Sequence, residues 1–287
     1  MADDRRFPWP HAGRSRPPED NRTDNRMKQM TDPLDFTPGQ VAAHGGVALV
    51  TGGGRRVGAV VARALAARGY AVAIHANRSF DEARSLAAGF EAAGIPALAV
   101  TANLRDEGPV RAMVHRVGDH FGRLDVVVTT AAIWEPGPLE EVTAEDLRRH
   151  FDINVVGSFV VAQEAAAVMV GQETGGSIVT VGDWAIARPY PGYAAYFPSK
   201  GGIPAMTRSL AVELAGRNPR VRVNAILPGP VMLPPDLSEA ERAEAVAGTL
   251  VRREGRPEHV AHAVLFLVEN DFVSGICLPV DGGRSIA

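Results

Sequence analysis

From Val47 onward, short apolar runs alternate with amphipathic stretches along almost the whole 287-residue chain. The runs are Val47–Val50, Ala71–Ile74, Ala97–Val100, Val126–Val128, Ser177–Val181, Arg222–Ile226 and Ile276–Val280. Between them lie the helical stretches Ala59–Arg68, Asp81–Ala93, Glu107–His120, Ala144–Val170, Tyr193–Gly216 and Glu258–Val268. Runs of β-branched residues without polar alternation belong to strands covered on both faces, which is the condition of a parallel sheet. Seven such strands with crossover helices predict one doubly wound α/β domain over residues 45–287, not a barrel of eight. Ligands of such a sheet bind at the carboxyl ends of the strands, near the topological switch point. No internal repeat and no second domain is expected.

Residues 1–44 break this pattern. They mix Pro8, Pro10, Pro17, Pro18, Pro33 and Pro38 with Asp and Arg and have no apolar period. This stretch reads as a mobile tail, or as an over-extended start with Met27 or Met30 as the working one. The first residues are charged, with no apolar core of a signal peptide, and no run reaches 18 apolar residues. Cys277 is the lone cysteine, so a reducing cytoplasm is expected. A net charge of −3 argues against nucleic acid or an anionic membrane as partner. The eight histidines show no metal-ligand spacing, so a small organic molecule is the expected partner, without a metal.

The first strand runs into Thr51-Gly52-Gly53-Gly54-Arg55-Arg56-Val57-Gly58 and a helix follows at once. Glycines let backbone approach a pyrophosphate, and the helix N-terminus offers free N–H groups and a positive dipole end. The second strand ends in His75-Ala76-Asn77-Arg78-Ser79. An NAD site places an acidic residue here for the ribose hydroxyls; this chain has none. Arg78 and Ser79 suit a 2′-phosphate instead, with Arg55 as a second positive charge, so NADPH/NADP is the expected cofactor.

Tyr196 and Lys200 stand at i and i+4, one above the other on a helix face. An ammonium there is expected to stabilise the phenolate and lower the tyrosine pKa into a working acid–base range. Only two of the 30 basic residues are lysines, and Lys28 lies in the tail, which singles out Lys200. Tyr190 and Tyr193 lie close by, but neither has a lysine one turn later.

On these residues the chain resembles the short-chain dehydrogenase/reductase family over about residues 45–287. Further matches are Asn154 in Phe151-Asp152-Ile153-Asn154-Val155, Pro228-Gly229-Pro230-Val231, and Val280-Asp281-Gly282-Gly283. The resemblance implies a Rossmann fold, a nicotinamide cofactor, and a homotetramer formed through two long helices. It implies that Asn154 supports Lys200 through a water-linked proton relay. It also places Asn103, Leu104, Ala131 and the segment around Val231 at the cofactor.

Two departures narrow the likeness. Arg56 replaces a glycine of the turn, and Asp183, thirteen residues before Tyr196, replaces the usual serine. Both resemble pteridine reductases, as does Ala132-Ile133-Trp134-Glu135-Pro136, where Trp134 takes the place of a ring-stacking aromatic. An ionised Asp accepts but does not donate, which suits a nitrogen-rich ring better than a ketone oxyanion. The expected site is therefore Asp183, Tyr196, Lys200 and Asn154, with Arg56 and Trp134 against substrate. Other departures cut against a pterin: Thr129-Thr130 replaces a paired asparagine, and Ala132 replaces a serine. Pro204 is expected to kink the helix of Tyr196, and Pro228–Thr249 reads as a short helical lid. Three functions stay open: a pterin-like C=N reductase, a carbonyl or 3-oxoacyl reductase, and a non-catalytic NADP(H)-binding protein.

Overall fold

The computed structural model describes residues 45–235 and 237–287; the expectation for residues 1–44 falls outside them. Seven strands form one parallel sheet: β1 Val47–Thr51, β2 Ala71–His75, β3 Ala97–Val100, β4 Val126–Thr129, β5 Gly176–Val181, β6 Val221–Pro228 and β7 Cys277–Val280. Their spatial order is β3-β2-β1-β4-β5-β6-β7. The chain therefore reverses direction across the sheet between β1 and β4, where Val50 pairs with Val128 and Thr51 with Thr129. That junction is the switch point at which such sheets open a crevice.

Helices α1 Arg56–Ala67, α2 Phe80–Ala92 and α7 Pro257–Glu269 cover one face. Helices α3 Glu107–Phe121, α4 Ala144–Val170 and α5 Tyr196–Ala215 cover the other, and α6 Glu239–Ala247 lies beyond β6. Period-2 geometry divides each strand between two cores. In β1, Ala48 and Val50 enter the first core, whereas Val47 and Leu49 enter the second. All four are buried, which accounts for the unbroken apolar run in sequence.

The boundaries agree with the sequence reading to within a few residues, with one internal difference. The expected helix 144–170 holds a π-turn at Asp152–Gly157. A π-turn inserts an extra residue into the helical ladder and is frequent at functional positions; here it carries Asn154. The same helix is apolar and long enough by composition to cross a membrane. Its Val160, Val161, Ala165 and Met169 are instead packed against the sheet. Pro204 lies inside α5 as expected, and the helix continues through it to Ala215.

Candidate functional site

The turn after β1 is built by close backbone approach. Gly52 sits at φ +65°, and a Cβ there would come 2.9 Å from the backbone of Ala131 at the end of β4. A Cβ on Gly58 would come 2.3 Å from the Gly52 carbonyl oxygen and 2.6 Å from the Thr130 hydroxyl. Helix α1 therefore starts in contact with the turn, and its first turn has neither a side-chain cap nor an acidic residue. Open N–H groups and a positive dipole end are what a pyrophosphate requires. Arg56 begins the helix at φ +50°, a conformation that favours glycine, which fits its place in the glycine turn. Its Nη2 donates to the Met232 carbonyl at 2.5 Å, tying the turn to the segment after Val231.

The threonines at the end of β4 brace this turn. The Thr130 hydroxyl donates to the Thr51 carbonyl, and the Ala131 N–H donates to Thr51 Oγ1 at 3.3 Å. Thr129 Oγ1 is buried without a partner among the described residues. One of the two hydroxyls thus keeps a bracing role and the other does not. Sequence reading overlooked a second brace. His75 is buried, takes a bond from the Gly52 N–H on Nδ1 (3.4 Å) and bonds the Ala102 carbonyl through Nε2 at 3.0 Å. The only signal in sequence was a polar residue ending an apolar strand.

Burial holds the His75 pKa below its ordinary 6.5. The unfolded chain then binds a proton that the folded one refuses, so stability is full above pH 6.5 and falls as pH drops below it. One proton gives a slope of at most about 1.4 kcal/mol per pH unit. Thermal unfolding across pH 5–7 should show that slope reduced in His75→Gln; an unchanged slope removes His75 as its source.

Arg78 is exposed and has no ion pair among the described residues, while Ser79 stands at the N-cap position of α2 without a side-chain capping bond. Arg55 differs from expectation: its guanidinium is paired with Glu82 on α2. That pair holds the Glu82 carboxyl below the usual range. Arg78 is therefore the uncommitted cation of the two. Asn103 accepts from the Arg105 N–H at 3.3 Å, and Leu104 packs beside Gly157 in the π-turn. Gly229 follows Pro228 and donates to the Val280 carbonyl at 3.0 Å; Val231 bridges to Gly255.

At the ends of β5 and α5 a buried cluster forms. The Tyr196 hydroxyl donates to Asp183 Oδ2 at 2.7 Å, and the other carboxylate oxygen accepts from the Ala185 N–H at 2.8 Å. Lys200 Nζ donates to the Val181 carbonyl at 2.8 Å and lies 6.0 Å from the Tyr196 ring centre. The expectation of a lowered tyrosine pKa is corrected. Burial and the adjacent Asp183 carboxylate push the Tyr196 phenol above its ordinary value, because a second negative charge beside Asp183 is unfavourable. Burial also pushes the Asp183 carboxyl up, and lowers the Lys200 ammonium to about 8.

Asn154 clasps the backbone of Ile133: its Oδ1 accepts from the Ile133 N–H at 2.9 Å, and its Nδ2 donates to the carbonyl at 3.1 Å. The same Nδ2 donates to Ser199 Oγ at 3.0 Å, next to Lys200. Trp134 follows Ile133 and stacks on Tyr193 with ring centres 4.8 Å apart and planes at 11°. One face of the Trp134 ring is thus covered by a tyrosine, and the side chain remains 41% exposed. Tyr190 packs edge-on against Tyr193 and Phe197, completing an aromatic wall. Among the described residues no group of three metal-ligating side chains occurs.

A parallel sheet with an open helix terminus at its switch point, beside a buried Asp–Tyr–Lys cluster, defines a nucleotide-dependent oxidoreductase. Residues 53–285 match the family described as Enoyl-(Acyl carrier protein) reductase. The 3-oxoacyl-[acyl-carrier-protein] reductase of Rattus norvegicus is 34% identical over 241 residues, covering 84% of this chain and 98% of that protein. A blue fluorescent protein from a metagenomic library, solved with NADPH, is 36% identical, with TM-score 0.77 over 84% of this chain and 98% of that one. The alternative dihydrofolate reductase 1 of Brucella canis, solved with NADP, is 29% identical, with TM-score 0.76 over 84% and 95%. The chain belongs to the short-chain dehydrogenase/reductase family and is an oxidoreductase of that class.

Proposed function

We propose that this protein is an NADPH-dependent reductase of pterin-like or related C=N substrates. The observation that carries the reading is the 2.7 Å bond from the Tyr196 hydroxyl to Asp183. A serine in that place donates a hydrogen bond to a developing oxyanion; a carboxyl with a raised pKa is a proton store beside the phenol. The likeness to an alternative dihydrofolate reductase supports the same class.

The residues present fit the cofactor. The uncapped start of α1, formed by Arg56, Val57 and Gly58 beside Gly52 and Ala131, suits the pyrophosphate. Arg78, without an ion pair among the described residues, and the Ser79 hydroxyl suit the 2′-phosphate, with Arg55 contributing once released from Glu82. Asn103 and Leu104 would face the adenine end, and Pro228, Gly229 and Val231 the nicotinamide end. Arg78→Ala should weaken NADPH by about 10- to 100-fold, the worth of a charge-assisted bond, and leave NADH within about two-fold. Equal losses for both cofactors, measured by titration, contradict the assignment.

When bound, NADPH supplies a hydride to the carbon of the C=N bond. Tyr196 gives its phenolic proton to the nitrogen, and the protonated Asp183 carboxyl restores that proton to the tyrosine oxygen. Asp183 is left ionised and regains a proton from solvent, so the exchange balances. Lys200 anchors to Val181, holds the ribose, and keeps positive charge near the phenol. Asn154, gripping Ile133, fixes the backbone that aims Trp134, whose free face would stack on the flat ring, with Arg56 near its oxo edge.

A carbonyl reductase is the second reading, favoured by the likeness to a 3-oxoacyl-[acyl-carrier-protein] reductase; a non-catalytic NADP(H)-binding protein is the third. A steady-state screen with NADPH against pterins, folates, quinones and 3-oxoesters separates them. The expected result is turnover of dihydropterins that ketones do not match. An inactive parent toward dihydropterins, with ketone reduction raised in Asp183→Ser, overturns the pterin reading. A homotetramer in the cytoplasm, with α4 and α5 at the interface, is part of the proposal. The choice of α4 and α5 as the interface is supported by a hollow of about 320 Å³ lined by Val155, Val156, Phe159, Met206, Ser209 and Leu210 on those helices.

A further inference from the structure

We infer that Arg284 anchors an anionic arm of the substrate, so that the preferred ligand is a planar ring carrying a carboxylate or sulfonate. Resting on the ring-reduction reading above, the inference adds a charge to the substrate that this reading leaves open. The Arg284 guanidinium lies over the ring of Trp184, 4.8 Å from its centre. Trp184 directly follows Asp183 and stacks loosely on Tyr190 at 6.4 Å, which brings Arg284 to the edge of the same aromatic wall. Its field reaches Tyr190, where it counts among the groups that favour the phenolate.

Two features separate this cation from the arginines nearby that are already committed to carboxylates. Arg55 pairs with Glu82, Arg149 with Glu135, and Arg242 with Glu254. Arg284 has no carboxylate within ion-pair distance among the described residues. It is held instead by neutral groups: Nη1 donates to the carbonyls of Glu244 (3.3 Å) and Ala245 at the end of α6. A guanidinium carries five N–H donors in a rigid fork. The Nε and Nη2 hydrogens have no acceptor among the described residues, so the edge that binds a carboxylate in bidentate fashion is available. The half-buried setting and the π-face beneath it strengthen its pull on an anion over that of a fully solvated cation. The bond to α6 also caps that helix, whose last carbonyls carry partial negative charge. Capping alone would leave affinity for neutral and anionic ligands equally dependent on Arg284.

The test compares matched ligand pairs on the full chain saturated with NADP+, by calorimetry: pterin with pterin-6-carboxylate, and 1,4-naphthoquinone with 1,4-naphthoquinone-2-sulfonate. In the parent, the anionic member of a pair should bind about 10-fold tighter, the scale of one charge-assisted pair, and high sodium chloride should shrink that ratio. In Arg284→Gln the ratio should fall to about one while the neutral ligand keeps its affinity; Arg284→Lys should retain part of the preference. No preference in either pair, or a preference that survives in Arg284→Gln, overturns the anchor. Equal weakening of neutral and anionic ligands assigns Arg284 to capping alone and also overturns it. A preference in the naphthoquinone pair with no binding of either pterin keeps the anchor and removes the pterin reading. Should Arg284→Gln fail to fold, the salt dependence in the parent decides: an anionic preference insensitive to salt counts against the anchor.

Discussion

Gly58→Ala is expected to lose at least about 100-fold in NADPH affinity, because the new methyl collides with the turn itself. The Cβ would lie 2.3 Å from the Gly52 carbonyl oxygen, 2.9 Å from its carbon and 2.6 Å from Thr130 Oγ1. None of these is the loose end of a flexible chain. Gly52 is pinned against Ala131, and the Thr130 hydroxyl is bonded to the Thr51 carbonyl. Relief therefore requires the start of α1 to move away from the turn, which displaces the N–H groups offered to the pyrophosphate. Overpacking of this kind costs about 1–3 kcal/mol of stability, and the same distortion falls on the nucleotide site. Gly89→Ala in α2 is the control, since its added methyl meets nothing within 4 Å; it should be neutral or stabilise by up to about 1 kcal/mol. Nucleotide titration and thermal unfolding of both variants test this. A Gly58→Ala chain that binds like the parent removes the cradle from the cofactor site.

Much of this arrangement was legible in the sequence because it depends on local pattern. Strand runs such as Val126–Val128 are apolar at every position since the sheet is covered on both sides, and the glycine turn needs its glycines at fixed offsets. The Tyr196–Lys200 spacing is likewise a property of one helix. What escaped depends on distances between segments remote in sequence. The pairing of Arg55 with Glu82 and the contact of Trp134 with Tyr193 lie beyond any local period. The π-turn under Asn154 is invisible to a 3.6-residue pattern, because one extra residue barely shifts an apolar face. The direction of the tyrosine shift was misjudged for a related reason. Spacing reveals the nearby ammonium, but burial depth and the aim of Lys200 toward Val181 emerge only from packing.

That correction shapes the largest expected effect on turnover. Tyr196→Phe should lower the reduction rate by about 10³-fold or more, within the range that general acids supply, and leave NADPH affinity within about two-fold. Burial holds the phenol protonated, and Asp183 adds to this once it is ionised, so any limb from the phenol is pushed toward alkaline pH. The limbs at lower pH belong to its neighbours. Asp183 must be protonated to resupply the phenol, so activity is present below its raised pKa and declines as pH rises through it. Lys200, lowered to about 8, adds a further decline where its ammonium is lost. Coupled groups titrate as a set, so the profile reports the cluster. Asp183→Asn keeps a side chain that can accept from Tyr196 but cannot resupply its proton. Its rate should fall by about 100-fold, with the remaining alkaline decline governed by Lys200. Steady-state rates across pH 5–10 for the three chains decide the matter. A Tyr196→Phe chain that keeps more than about a tenth of the parent rate assigns proton delivery to another group, and an Asp183→Asn profile identical to the parent's denies Asp183 the role of proton store.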